Sequence, residues 1–180
     1  GPWPVTPYHR RVPTARPLVS ERQHIISIDG GCVLKLDGQL NALIIPDITG
    51  DRVDYVAYDG LRVVRALDRQ EASKDSLNIR WSDSAVEVLR TEGDCSWCRH
   101  LSTGRELWIM NEYLYPRRTG HIHCEDTTDY ALPVEPGERL ALVRRCSRGD
   151  MVKKHGATGW YFGRVEENIE PLNASAGSAT

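Results

Sequence analysis

Three Asp-Gly pairs, Asp29-Gly30, Asp37-Gly38 and Asp59-Gly60, punctuate short β-branched segments in the first third of the chain. Asp-Gly tolerates the positive φ that both central residues of a type I′ turn require, so each pair between alternating segments predicts an antiparallel hairpin. The segments are 24–28, 32–36, 40–45, 53–58 and 61–66. Alternation places Cys32, Leu34 and Leu36 on one strand face, and Val53, Tyr55 and Ala57 on another. Further short strands are expected at 77–81, 85–90, 106–110, 139–145 and 160–165. No segment carries a long apolar stripe at helical spacing, so the expected class is mostly β.

The 180 residues suit one large or two small domains. With 40% hydrophobic and 27% charged residues, the balance is globular, which excludes a disordered chain. No apolar run approaches the ~20 residues of a membrane helix, so no membrane partner is expected. A net charge of −2 argues against a dedicated nucleic-acid binder. The one basic cluster, His9, Arg10, Arg11 and Arg16, lies among prolines and reads as an arm or linker over residues 1–17. Nucleic-acid contact is expected only through that arm, His9–Arg16. The small polar residues 171–180 read as a flexible tail. Five cysteines at irregular spacing do not form a secreted disulfide framework, and the expected compartment is intracellular, cytoplasm or nucleus.

The sharpest chemical signal is Cys95-Ser96-Trp97-Cys98 followed by His121-Ile122-His123-Cys124. A Cys-x-x-Cys turn brings two thiolates to one tetrahedral ion, and a second His/Cys turn closes the site. The expected ligands of a structural Zn2+ are therefore Cys95, Cys98, His121 and Cys124, with His123 and His100 as alternates. Such an ion would pin residues 91–127 as a β excursion between a meander at 18–90 and a second subdomain at 128–170. A redox use of Cys-x-x-Cys needs a βαβ unit, which the pattern lacks.

In that second subdomain, Val134-Glu135-Pro136-Gly137-Glu138 leads into the alternating run 139–143, and Gly159-Trp160-Tyr161-Phe162-Gly163-Arg164 follows. This resembles the latter part of an SH3-type barrel, with Glu170-Pro171-Leu172-Asn173 similar to that family's closing Pro-x-Asn. The resemblance covers residues 129–172 and lacks the family's acidic loop. It implies an SH3-like small barrel in which Trp160 lines an aromatic groove, with Tyr130 opposite and Tyr161 beside it. Alternation turns about half of Trp160, Tyr161 and Phe162 inward, and Phe162 is the one expected in the core.

The expected function is a non-catalytic protein-interaction module, stabilised by zinc, that binds a peptide or partner protein. Two alternatives stand: a tudor-like chromatin or methyl-lysine reader, and a cysteine hydrolase using Cys32 or Cys98. For the hydrolase, Gly30-Gly31-Cys32 resembles the glycine-flanked nucleophile of cysteine proteases, with His24 as the candidate partner, but a core position is the commoner fate of a strand cysteine. No phosphate loop, nucleophile elbow or dinucleotide fingerprint is present.

Overall fold

The computed structural model describes residues 17–20, 25–32, 35–50, 52–118, 120–167 and 175–178. The arm around His9–Arg16 and the Pro171–Asn173 motif lie outside these residues. The chain is mostly β, and the only helices among the described residues are two 3-10 turns of three residues each. Among the described residues no helix is long and apolar enough to cross a membrane.

In chain order the strands are β1 (Leu18–Ser20), β2 (Ile25–Ser27), β3 (Leu40–Ile44), β4 (Asp54–Tyr58), β5 (Arg62–Ala66) and β6 (Asn78–Ile79). Then come β7 (Ala85–Glu92), β8 (Cys95–His100), β9 (Glu106–Met110), β10 (Leu114–Pro116), β11 (Ile122–Cys124) and β12 (Thr127–Thr128). The last are β13 (Arg139–Cys146), β14 (Gly149–Lys154), β15 (Ala157–Tyr161), β16 (Val165–Glu166) and β17 (Ser175–Ser178). The chain divides into two compact units, residues 1–62 with 170–180, and residues 63–169.

The first unit holds the antiparallel pair β1–β2 and the sheet β17-β4-β3. The expected meander is corrected here in two places, and the expected tail in one. Cys32 is an exposed turn residue, and Lys35–Asp37 bends back through Lys35 N–H to Gly31 O (3.0 Å) and Gly38 N–H to Lys35 O (3.1 Å), so the described residues of the expected 32–36 strand form a turn. Asp59-Gly60 closes no hairpin, because β4 and β5 pair in different sheets. Gly60 does take φ 66, and Asp59 accepts the Leu61 N–H, so the dipeptide makes a turn without a hairpin. The expected flexible tail contains β17, which pairs antiparallel with β4.

The second unit carries the larger core. Its sheet β15-β14-β13-β5-β16 recruits β5 from far upstream, which moves residues 63–90 out of the expected meander. The sheet is linear in order, with β15 and β16 at opposite ends, so no closed barrel forms among the described residues. Val64 and Ala66 on β5, and Leu140 and Leu142 on β13, obey the two-residue period and pack with Leu132, Val134, Val152 and Tyr161. Each fully buried aliphatic side chain contributes roughly 1.5–3 kcal/mol. Tyr161 is fully buried with its hydroxyl donating to Asp68 O (2.7 Å) and accepting from Asp68 N–H (3.0 Å). A Cβ at Gly159 would stand 2.6 Å from Tyr130 O, so glycine there lets β15 pack against residues 130–132.

A second sheet, β10-β11-β7-β8-β9, carries the residues with chemistry. β7 and β8 form a tight hairpin closed by the pair Glu92↔Cys95. Gly93, with φ 59, takes the first central position of that two-residue turn, the place a type II′ turn reserves for glycine.

Two measurements check this packing. Tyr161→Phe leaves the Asp68 N–H without its acceptor and is expected to cost about 1–3 kcal/mol in urea unfolding. Hydrogen bonds from Arg164 hold the Asp68 carboxyl at about 2, below its ordinary 3.8. The folded value is the lower one, so this contribution is complete above the unfolded value and lost as pH falls through 2. Asp68→Asn should therefore destabilise at neutral pH, and its deficit against wild type should close as pH drops from about 4 to about 2.

Candidate functional site

β8 reads Cys-Ser-Trp-Cys-Arg-His, and its side chains alternate between two faces. Cys95, Trp97 and Arg99 share one face; Ser96, Cys98 and His100 share the other. Residues three apart on a strand point opposite ways, so Cys95 and Cys98 cannot serve one ion as a Cys-x-x-Cys turn would.

Of the expected zinc ligands, Cys98 and Cys124 lie close enough to interact electrostatically, while Cys95 stands on the other face of β8. Cys95 donates a hydrogen bond to the Cys146 sulfur at 3.3 Å. Cys98 and Cys124 are fully buried, and burial pushes their thiols up to about 11 and about 12. His121 is exposed on the turn before β11. Of the alternates, His123 bonds Ser84 Oγ (3.1 Å), stacks on Tyr115 (6.3 Å) and has its pKa lowered by burial. His100 is buried between Thr103 Oγ1 (2.9 Å) and Asp83 O (2.8 Å). Among the described residues, the one group of three metal-capable side chains with ligand atoms within 4.8 Å of one another is Asp94, Cys95 and Cys146, a different set. The Asp94 carboxylate there accepts from Ser147 Oγ and N–H, which hold its pKa below the ordinary value.

The outer face of β8 builds something else. Trp97 pairs directly with Trp108 of β9, ring centroids 5.3 Å apart and tilted by 54°. Arg99 pairs with Glu106, and its guanidinium bonds Glu106 (2.9 Å) and Glu87 (2.8 Å). Trp97 Nε1 donates to Glu106 Oε2 at 2.9 Å. Hydrogen bonds from Arg99, then from Trp97, keep the Glu106 carboxyl below its ordinary range.

These rings line a cleft of about 240 Å³ together with Glu106, Leu107, Asp129, Arg148, Trp160 and Phe162. Trp160 and Phe162 stack nearly parallel, 5.9 Å apart with 2° between planes. The Arg148 guanidinium lies 3.6 Å from the Trp108 ring centre. Asp129 accepts from Arg105 Nε (2.9 Å) and Leu77 N–H (2.6 Å).

Comparison with known protein families, curated proteins and solved structures gives no match.

The expected groove residues divide. Trp160 lines the cleft with a buried ring whose Nε1 donates to Thr128 O (2.7 Å). Tyr161 points the other way into the core, and Tyr130 packs against that core, so neither lines the cleft. Phe162, expected in the core, is 59% exposed. Cys32 is exposed where a core thiol was expected, and Cys98, sealed and hard to ionise, lacks the surroundings of a nucleophile.

Sequence reasoning missed Trp97, Glu106, Trp108 and Arg148. A signal was present: Trp97-x-Arg99 and Glu106-x-Trp108 flank a short turn at matching two-residue spacing, which makes the rings and charges cross-strand neighbours.

Thiol labelling of the folded chain separates these environments. Iodoacetamide should modify Cys32 first and Cys146 next, leaving Cys95, Cys98 and Cys124 until unfolding, as read by peptide mass mapping. Early labelling of Cys98 or Cys124 would show that the inner face of β8 is open.

Proposed function

We propose that the unit spanning residues 63–169 is a non-catalytic interaction module that receives an extended proline-rich peptide in the Trp97–Trp108–Trp160–Phe162 cleft. The observation that carries this reading is the convergence of four aromatic rings from β8, β9, β15 and the residue after β15 on one opening. Proline rings stack on aromatic faces, and a polyproline helix enters such a groove with little conformational entropy to lose. The resemblance of residues 159–164 to an SH3-type strand supports the same ligand class.

The cleft suits a neutral peptide better than a methylated lysine. An aromatic cage draws a cation with its ring faces and an available carboxylate. Here Arg99 bonds Glu106, Arg105 bonds Asp129, and Arg148 already covers Trp108. A ligand that uses the Trp108 face must move Arg148 aside. The expected structural zinc gains no support from the placement of its proposed ligands, and the peptide reading does not depend on it.

Tryptophan fluorescence titration with proline-rich and trimethyl-lysine peptides tests the reading. Trp108→Ala should weaken proline-peptide binding about tenfold or more, the loss of a central aromatic anchor. Tyr130→Phe, outside the cleft, should leave it unchanged. Equal affinity for Trp108→Ala, or a preference for trimethyl-lysine, would count against the proposal.

A further inference from the structure

We propose that Cys95 and Cys146 are a latent disulfide pair, and that closing it fastens the turn bearing Arg148 over the Trp108 ring of the aromatic cleft. Two hairpin ends meet here. Cys95 closes the β7–β8 turn opposite Glu92, and Cys146 closes the β13–β14 turn opposite Gly149. The turns are already clasped: Ser147 N–H donates to Asp94 at 2.9 Å, and Arg148 Nη1 bonds Glu92 at 3.3 Å.

The two sulfurs stand 3.3 Å apart, so reaching an S–S bond needs about 1.3 Å of closure, shared between two side chains. The Cys146 sulfur accepts hydrogen bonds from the Cys95 thiol and, at 3.4 Å, from Arg148 N–H. It is half-buried, whereas Cys95 is sealed, so an oxidant in solution reaches Cys146 first. Cys98 is sealed on the opposite strand face with its thiol turned to Ser96 O (3.6 Å), which leaves it out of this chemistry.

With hydrogen peroxide as oxidant the chemistry balances in two steps. The Cys146 sulfur attacks one peroxide oxygen, the O–O bond breaks, and Cys146 sulfenic acid and one water form. The Cys95 sulfur then attacks the sulfenyl sulfur. The S–S bond forms, the S–O bond breaks, and hydroxyl leaves with the Cys95 proton as a second water. Two thiols have lost two electrons to one peroxide. The bond ties residues 51 apart in sequence and fixes Arg148, two residues beyond Cys146, over Trp108. The consequence for ligand access rests on the cleft being the peptide site; the bond itself does not.

The test uses the full reduced chain treated with hydrogen peroxide. Non-reducing peptide mapping should show one bridged peptide holding Cys95 and Cys146, with the intact mass lower by two hydrogens. The melting temperature should rise by about 5 °C and return on adding dithiothreitol. NMR relaxation of the Arg148 Nε–H should report lower mobility after oxidation in wild type and no change in Cys146→Ser. A bridge through Cys32, sulfinic acid at Cys146 without a bridge, or a metal ion on Asp94, Cys95 and Cys146 that blocks oxidation would overturn the pair. A Cys95–Cys146 bridge with unchanged Arg148 mobility would overturn the latch. Failure of the reduced chain to bind any proline-rich peptide would remove the cleft reading and leave the mapping result intact.

Discussion

The two-residue period of β8 is the constraint on which the second unit turns. Because side chains on a strand alternate, Cys-Ser-Trp-Cys-Arg-His becomes two surfaces back to back. The inner one, Ser96, Cys98 and His100, is closed within the unit. The outer one, Cys95, Trp97 and Arg99, meets Trp108, Glu106 and the 146–148 turn. The same stretch bent into a knuckle would have gathered the cysteines and scattered the aromatic rings. Pairing Trp97 with Trp108 across antiparallel strands settles which of these surfaces the chain presents.

Charge plays a supporting part around the cleft. Glu87, Arg99 and Glu106 run across three adjacent strands as one ladder of ion pairs on an exposed face. Such surface pairs contribute little stability each, about 0–1 kcal/mol. Their larger effect is to fix side-chain positions: Glu106, occupied by Arg99, also holds the Trp97 indole in place. Arg148 links the hairpin ends to the cleft, since one guanidinium both reaches Glu92 and covers Trp108. The buried cluster drawn from β5, β13, β14, β15 and residues 132–134 forms a core of the same unit.

Much of the strand content was legible in the residues. The 85–90, 106–110 and 139–145 segments are strands as expected, with Leu107 and Ile109, and Leu140 and Leu142, buried at two-residue spacing and Val86 the one buried residue of the first. The pairing of β5 with β13 was not legible, because nothing local in Arg-Val-Val-Arg-Ala specifies a partner far along the chain. Asp59-Gly60 shows why turn residues mark a change of direction without fixing which sheet the next strand joins. β8 was hidden by its own composition: Cys-x-x-Cys next to His draws attention as a metal turn, while Gly93 and the Trp97–Arg99 alternation declare a hairpin. Of the groove, Trp160 was legible. Phe162 was assigned to the wrong side: alternation places it with Trp160, on whose ring it stacks, while Tyr161 between them turns into the core.

The division of β8 into two faces can be measured directly by a proton NOE spectrum of the labelled chain with one equivalent of zinc present. Strand alternation requires contacts between the Trp97 and Trp108 rings on one side, and between Cys98 β-protons and Leu107 methyls on the other. Contacts joining the β-protons of both Cys95 and Cys98 to the His121 ring, with the two tryptophan rings apart, would contradict it.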